Sequence, residues 1–367
     1  MKKPNLTYAG SGVNYDALDP FKRLAQAAAL STAGNIARFG LAEVGPSRGE
    51  SAYLVEGPDH YLAHVEEGLG TKNLVADAVN KITGKHYYDA LAQDTVAMIV
   101  NDMITLGALP VSVAMHLGVG ESNWFADDAR VQSLVTGWQR ACNLSRCVWG
   151  GGETPALAGV VVPGTVVLSG SAVGLIKPKE RLITGRIQDG DAIVMLAASG
   201  IHANGLTLAR KIAETTGYDA VIEDGRLFGE ALLDPTPIYV PVIEDAQDDG
   251  IDLHYAVNIT GHGWRKLMRA VEPFIYEIDT LPKPQPVFTF MQQHGPVDDV
   301  EAYGNFNMGA GFAVYVRPDE TDRIIAIAQT NNITAWVAGR ISKQGQSKRV
   351  VINPKNIIYE GETLNVR

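Results

Sequence analysis

The stretch from Glu66 to Ala108 constrains this chain most. It joins a glycine-broken loop to a helix that is apolar on nearly every side and yet carries acids. The loop reads Glu66-Glu67-Gly68-Leu69-Gly70-Thr71-Lys72, and the helix contains Asp94-Thr95-Val96-Ala97-Met98-Ile99-Val100-Asn101-Asp102-Met103. At about 100° per residue, Asp94 and Asn101 fall roughly 20° apart around the helix, and Asp102 roughly 80° from Asp94. Three oxygen-bearing side chains therefore share one side. Desolvating an ionised carboxylate costs several kcal/mol even after relaxation, so acids on a buried helix call for a partner. Gly107 is placed to end the helix, which leaves Asp102 near the terminus where the dipole disfavours negative charge. A hard divalent cation bridging to phosphate would supply the missing positive charge. Mg²⁺ prefers such oxygen ligands, and Lys72 would reach the phosphate oxygens as a point charge. The pattern is not a Walker A loop, since no Gly-x-x-x-x-Gly-Lys-Ser/Thr run occurs. Taken singly, Glu66 and Glu67 read as a solvated turn, Lys72 as a surface lysine and Asp102 as a loop cap. It is their combination with close-approach glycines that points to nucleotide and metal binding.

A chain of 367 residues is large for a single core, so two domains are expected. The hydrophobic fraction of 46% and charged fraction of 20% are those of a soluble globular protein. A net charge of −10 with no basic run argues against nucleic acid as partner. Cys142 and Cys147 are expected as free thiols in a reducing cytosol. The opening Met1-Lys2-Lys3-Pro4-Asn5 has no apolar signal core, and no run approaches the roughly 20 apolar residues of a membrane helix. A cytoplasmic address is the expectation.

Hydrophobic patterning divides the chain into an amino-terminal arm (1–50), an α+β domain (51–178), an α/β domain (189–352) and a tail (353–367). In the arm, Tyr8 to Asp16 is turn-rich and a helix is predicted from Pro20 to Thr32. The first domain is read as three or four strands: Tyr61 to Glu66, Val111 to Leu117, Cys147 to Trp149 and Gly164 to Ile176. In the second, strand Ala192 to Ala198 feeds Ser199-Gly200-Ile201-His202-Ala203-Asn204-Gly205 and a helix from Leu206 to Thr215, a geometry that offers backbone N–H groups to an anion. Strand His254 to Asn258 runs into Ile259-Thr260-Gly261-His262-Gly263-Trp264, which is expected to open another helix. Trp336 to Ile341 is expected to close the sheet. His202 reads equally well as a packed structural histidine or as a contact to a phosphate or carboxamide oxygen. The run Gly150-Gly151-Gly152-Glu153 costs backbone entropy, which implies that something approaches it closely.

These motifs, with Asn307-Met308-Gly309-Ala310-Gly311, resemble in order and spacing those of aminoimidazole ribonucleotide synthetase (phosphoribosylformylglycinamidine cyclo-ligase). The resemblance runs from Tyr8 to about Ile352. It implies two α/β domains, and a homodimer whose amino-terminal domains pair their sheets into a shared β-barrel. It also implies ATP with Mg²⁺, and a cyclo-ligase of purine biosynthesis acting on formylglycinamidine ribonucleotide. In that reaction ATP phosphorylates an amide oxygen, an amidine nitrogen attacks the resulting iminophosphate, and phosphate leaves as the imidazole ring closes. Carried onto this sequence, the resemblance implies catalytic Lys72, His202 and Asn204. It implies nucleotide contacts at Gly68, Gly70, Thr71, Lys72, Asp94, Asn101, Gly151, Gly152, Glu153, Thr260 and Gly261, with metal ligands Glu67 and Asp102. Several features depart from the family pattern: Glu67 stands where Asp is usual, Gln26 to Ala29 replaces a basic run, Pro155 to Gly159 replaces a Glu-Met-Pro-Gly turn, Val166 to Leu168 stands where an acidic Tyr-Asp pair is usual, His262 interrupts a run of glycines, and Pro235-Thr236-Pro237 replaces a Pro-Thr-Arg motif. Such departures leave open two alternatives, a relative that phosphorylates another amide or acid, and a silent nucleotide-binding dimer.

Overall fold

The computed structural model describes residues 15–295 and 297–364. The turn expected at Tyr8 to Asn14 lies outside these, whereas Tyr15 and Asp16 already belong to the first helix, α1 (Tyr15–Leu30). Short strands β1 (Ala42–Glu43) and β2 (Tyr53–Glu56) lead into β3 (Tyr61–Gly68). There follow α2 (Lys72–Thr83), α3 (Tyr88–Met103), β4 (Leu109–Val119), α4 (Asp128–Leu144), β5 (Val148–Glu153) and β6 (Val166–Ile176). The first sheet has six strands in the order β1-β2-β3-β6-β4-β5, more than the three or four expected, because β1 and β2 are too short to show a period. All its pairs are antiparallel except β4 with β5.

Side chains on β6 alternate across the sheet. Val166, Leu168, Gly170 and Ala172 are buried, while Val167 and Val173 point the other way and are exposed. The buried face is covered by α3, which packs on β3 and β6 and is backed by α4. Almost every residue of α3 is buried, including its polar ones, because sheet, α4 and the second domain enclose it.

The second sheet comprises β7 (Ala192–Ala197), β8 (Tyr255–Asn258), β9 (Ile275–Ile278), β10 (Ala310–Val316), β11 (Ala335–Ser342), β12 (Arg349–Ile352) and β13 (Ile357–Glu360). Their order is β13-β12-β9-β11-β7-β10-β8, and only β12 and β9 run parallel. β7 and β10 are continuous apolar runs, as strands covered on both faces must be. β11, expected to end the sheet, does not: β12 and β13 continue it, and β13 falls in the segment expected as a tail. Each of these strands is four residues long and bounded by Asn, Pro or Gly turns, so little periodicity marks it. The turn after β8 opens a short 3-10 helix, Gly263–Met268, rather than an α-helix. A strand-to-turn-to-helix unit does occur where it was expected, at β7 and α5 (Leu206–Thr216), with His202 and Gly205 both at positive φ.

Candidate functional site

The polar face of α3 meets the second domain along its length, and its two ends meet very different surroundings. At the amino-terminal end, Asp94 Oδ1 accepts from the Thr236 amide at 2.8 Å and from its hydroxyl at 2.5 Å. Its Oδ2 lies 2.6 Å from Lys72 Nζ, and neither side chain has any exposure. Lys72 also donates to the carbonyls of His202 at 2.9 Å and Asp234 at 3.1 Å. One residue before Asp102, Asn101 Oδ1 accepts from the Tyr239 amide at 3.0 Å and its Nδ2 donates to Pro237 O at 2.9 Å. Gln93 donates to Thr236 O at 2.9 Å. The segment from Asp234 to Tyr239 is thereby laced to α2 and α3.

This geometry gives Lys72, Asp94, Asn101 and His202, expected as nucleotide or catalytic contacts, partners within the protein. Lys72 is ion-paired with Asp94 and donates to two carbonyls, with its side chain wholly buried, so the protein itself supplies its partners. Asp94 and Asn101 are consumed by the same interdomain lacing. The His202 ring is buried, its Nε2 accepts from the Ser199 amide at 3.3 Å, and a Cβ on Gly311 would come within 2.6 Å of its Cε1. Burial, and secondarily the Lys72 charge, push this imidazole down to about 3, which keeps it neutral. A side chain so packed orders its turn.

The carboxyl-terminal end of α3 opens onto a cavity of about 460 Å³ between the domains. Into it come Glu67 from β3, Met98 and Asp102 from α3, and Asn204 from the turn before α5. Asn258, Thr260, Gly261, His262, Lys266 and Arg269 come from β8 and the turn and 3-10 helix after it. Lys22, Arg23 and Gln26 of α1, with Gly49 to Ser51, complete the wall. Arg269 holds that last segment, donating to Gly49 O at 2.7 Å and Ser51 Oγ at 3.0 Å, with Glu50 Oε2 3.3 Å from its Nε. Asp102 Oδ1 accepts from Asn258 Nδ2 at 2.7 Å.

Charge in this cavity is poised rather than balanced. Burial, then the neighbouring Asp102 carboxylate, raises Glu67 to about 7. Burial lowers Lys266 to about 8 against the opposing pull of Asp102. Burial, helped by Arg265 and Lys266, lowers His262 to about 4, so its imidazole is neutral at physiological pH. Among the described residues no group of three or more His, Cys, Asp or Glu side chains is gathered around one point. A cation that keeps several waters and shares phosphate oxygens needs only one or two carboxylates, and Glu67 with Asp102 is such a like-charged pair. The donor set therefore fits Mg²⁺ bound together with phosphate.

Five of the expected residues thus converge on one cavity: Glu67, Asp102, Asn204, Thr260 and Gly261. Gly68, Gly70 and Thr71 form the turn between Glu67 and α2, with Gly70 at φ 72° and exposed backbone at both glycines. Gly151, Gly152 and Glu153 are not brought there. They lie on β5, the exposed edge of the first sheet, three strands from β3. Two of the glycines there answer to strand pairing: a Cβ on Gly150 would lie 2.1 Å from Ser112 Oγ, and one on Gly152 2.0 Å from Met115 O, whereas Gly151, at φ 124°, has open space at that position. Sequence reasoning missed Asn258 and Lys266. The available signal was a lysine flanked by the apolar Trp264, Leu267 and Met268, a placement that burial makes costly without a purpose.

Comparison with known proteins agrees with this architecture. Residues 49–176 match the family described as AIR synthase related protein, N-terminal domain, and residues 188–352 match its C-terminal domain. The phosphoribosylformylglycinamidine cyclo-ligase of Methanocaldococcus jannaschii is 36% identical over 322 residues, covering 84% of this chain and 88% of the relative. Among solved structures, Thermotoga maritima PurL complexed with FGAR superposes with a TM-score of 0.59 at 16% identity, over 90% of this chain and 50% of that one. The same protein complexed with ATP gives 0.54 at 15% identity, over 84% and 45%. The chain spans about half the length of those PurL chains, and at such identity they share its fold. Two AIR synthase related domains in tandem, and 36% identity to a relative it covers nearly throughout, place the chain in the phosphoribosylformylglycinamidine cyclo-ligase family.

Proposed function

We propose that this protein is an ATP-dependent cyclo-ligase that closes the imidazole ring of aminoimidazole ribonucleotide from formylglycinamidine ribonucleotide. The observation that carries the reading is the convergence of Glu67, Asp102, Asn204 and the Thr260-Gly261 turn on one interdomain cavity, in a chain of this family. Transfer of a phosphoryl group to an amide oxygen converts a poor leaving group into a good one, and the protein's share is positioning and charge neutralisation. Mg²⁺ bound with the phosphates would be held by Glu67 and Asp102, relieving their mutual repulsion and neutralising phosphate charge. Asn258 orients Asp102 through its 2.7 Å hydrogen bond. Asn204 and the peptide groups of Thr260 and Gly261 offer neutral polar contacts to the substrate. Arg269 keeps Gly49 to Ser51 against the cavity.

The test is ADP release that depends on formylglycinamidine ribonucleotide, together with rescue of a purine auxotroph lacking the ligase. Rescue by the wild type and failure by Asp102→Asn is expected. Equal rescue by both would remove the assignment of Asp102, and ATP hydrolysis only with some other amide or acid would remove the substrate.

A homodimer paired through the first sheet is part of the proposal. Supporting it, the face of that sheet turned away from α3 exposes Val111, Val167 and Val173 at 50%, 49% and 48%, a surface that water solvates poorly. Sedimentation of Val173→Asp should show monomer where the wild type shows dimer; an unchanged mass would discard this face. The proposed address is the cytoplasm, in keeping with unbridged Cys142 and Cys147. No helix among the described residues is long and apolar enough to cross a membrane.

A further inference from the structure

We propose that Lys266 is a phosphate-contacting residue of the cavity, sharing with the metal the neutralisation of the bound nucleotide. The inference rests on the ATP-dependent reading of that cavity and adds a residue to it. An ammonium has three N–H donors. Lys266 Nζ donates to Asn258 O at 3.3 Å and makes a short hydrogen bond to Thr260 Oγ1. Among the described residues it makes no ion pair at contact distance, although the Asp102 and Glu67 charges both act on it. The contrast with Lys72 is direct, since that equally buried lysine finds three protein acceptors, one of them a carboxylate.

A buried lysine with two neutral acceptors is left with a third donor, and its side chain lines the cavity. The local backbone is arranged to put it there. β8 ends at Asn258, the chain turns through Gly261 and a left-handed His262 at φ 70°, and the 3-10 helix folds Lys266 back over the strand end. A purely structural role would be met more cheaply by an apolar side chain, since a charged group removed from water without a full set of partners is destabilising. Two carboxylates and one ammonium facing the same space are the complement of a metal–phosphate pair: the acids meet the cation and the ammonium meets a non-bridging oxygen. The other cations of the wall are placed differently. Arg269 is engaged with Gly49, Glu50 and Ser51, and Lys22 and Arg23 belong to the exposed α1.

The experiment measures ATP binding by calorimetry, with Mg²⁺ and with EDTA in its place, for wild type, Lys266→Met and Lys266→Arg. Thermal unfolding of the same samples checks their fold. Lys266→Met should keep a cooperative transition, weaken MgATP binding at least about tenfold, and abolish the residual metal-free binding that the wild type retains. Lys266→Arg should stay within about threefold of wild type, which loss of packing alone would not produce. Wild-type affinity in Lys266→Met, with or without metal, would overturn the proposal while leaving the ATP reading intact. Failure of the wild type itself to bind ATP would remove both. Should Lys266→Met not fold, Lys266→Arg and Lys266→Gln carry the test. An equal loss in those two, in folded protein, would overturn the charge assignment.

Discussion

One helix, α3, carries two carboxylates eight residues apart that meet opposite fates. Asp94 is sealed, with a lysine, a hydroxyl and an amide around it. Among the described residues Asp102 has one side-chain donor, Asn258, and otherwise faces a cavity it shares with Glu67 and Lys266. Burial alone therefore does not mark an acid as functional. What separates the two is whether the surrounding protein completes its partners, because a saturated charge belongs to the structure and an unsaturated one waits for a ligand. The two lysines repeat the lesson, Lys72 with its three acceptors and Lys266 with its two.

The sharpest way to break the comparison is Lys72→Met. It should destabilise the protein by about 3–5 kcal/mol in denaturant unfolding, since Asp94 would remain buried and unpaired. A loss below about 1 kcal/mol would show that the Asp94 end is not a structural lock. Asp102→Asn tests the other end. Its unfolding midpoint should stay close to wild type, while steady-state ADP release with the ribonucleotide substrate falls by at least about 100-fold. A comparable fall in stability for both variants would erase the distinction. Thr236→Val removes only the hydroxyl donor to Asp94 and keeps the amide, so a smaller destabilisation of about 1.5–3 kcal/mol is expected. The smallest effect is on pH dependence. The folded His202 ionises near 3 against an ordinary 6.5, so the unfolded chain takes up a proton that the folded one refuses. Stability from this group is complete above about 6.5 and is lost as pH falls towards 3. His202→Asn should flatten that part of a stability–pH curve, and an unchanged slope would place the titration elsewhere.

Much of this was legible in the residues. β6 could be read from strict alternation, β7 from an unbroken apolar run, and the approach of Glu67 and Asp102 to one cavity from acids beside a glycine turn. The short strands β12 and β13 were not legible, because four residues barely establish a period and their pairing is with distant segments. The interdomain partners of Lys72, Asp94 and Asn101 were hidden for a related reason. The helical period correctly placed Asp94, Asn101 and Asp102 towards one side, but nothing local states that Thr236, Pro237 and Tyr239 will lie across from the first two. At Gly150 and Gly152 the sequence did not reveal the neighbouring strand, because close approach by a strand and close approach by a ligand leave the same signature.

The order of amino acids by itself determined which segments form helices and long strands, and that α3 must bury acids, since periodicity and desolvation are local properties. The tertiary structure alone decided which of those acids is answered by the protein and which is left to a ligand. That outcome depends on groups more than a hundred residues away, and only the packing of one domain on the other brings them within hydrogen-bonding distance.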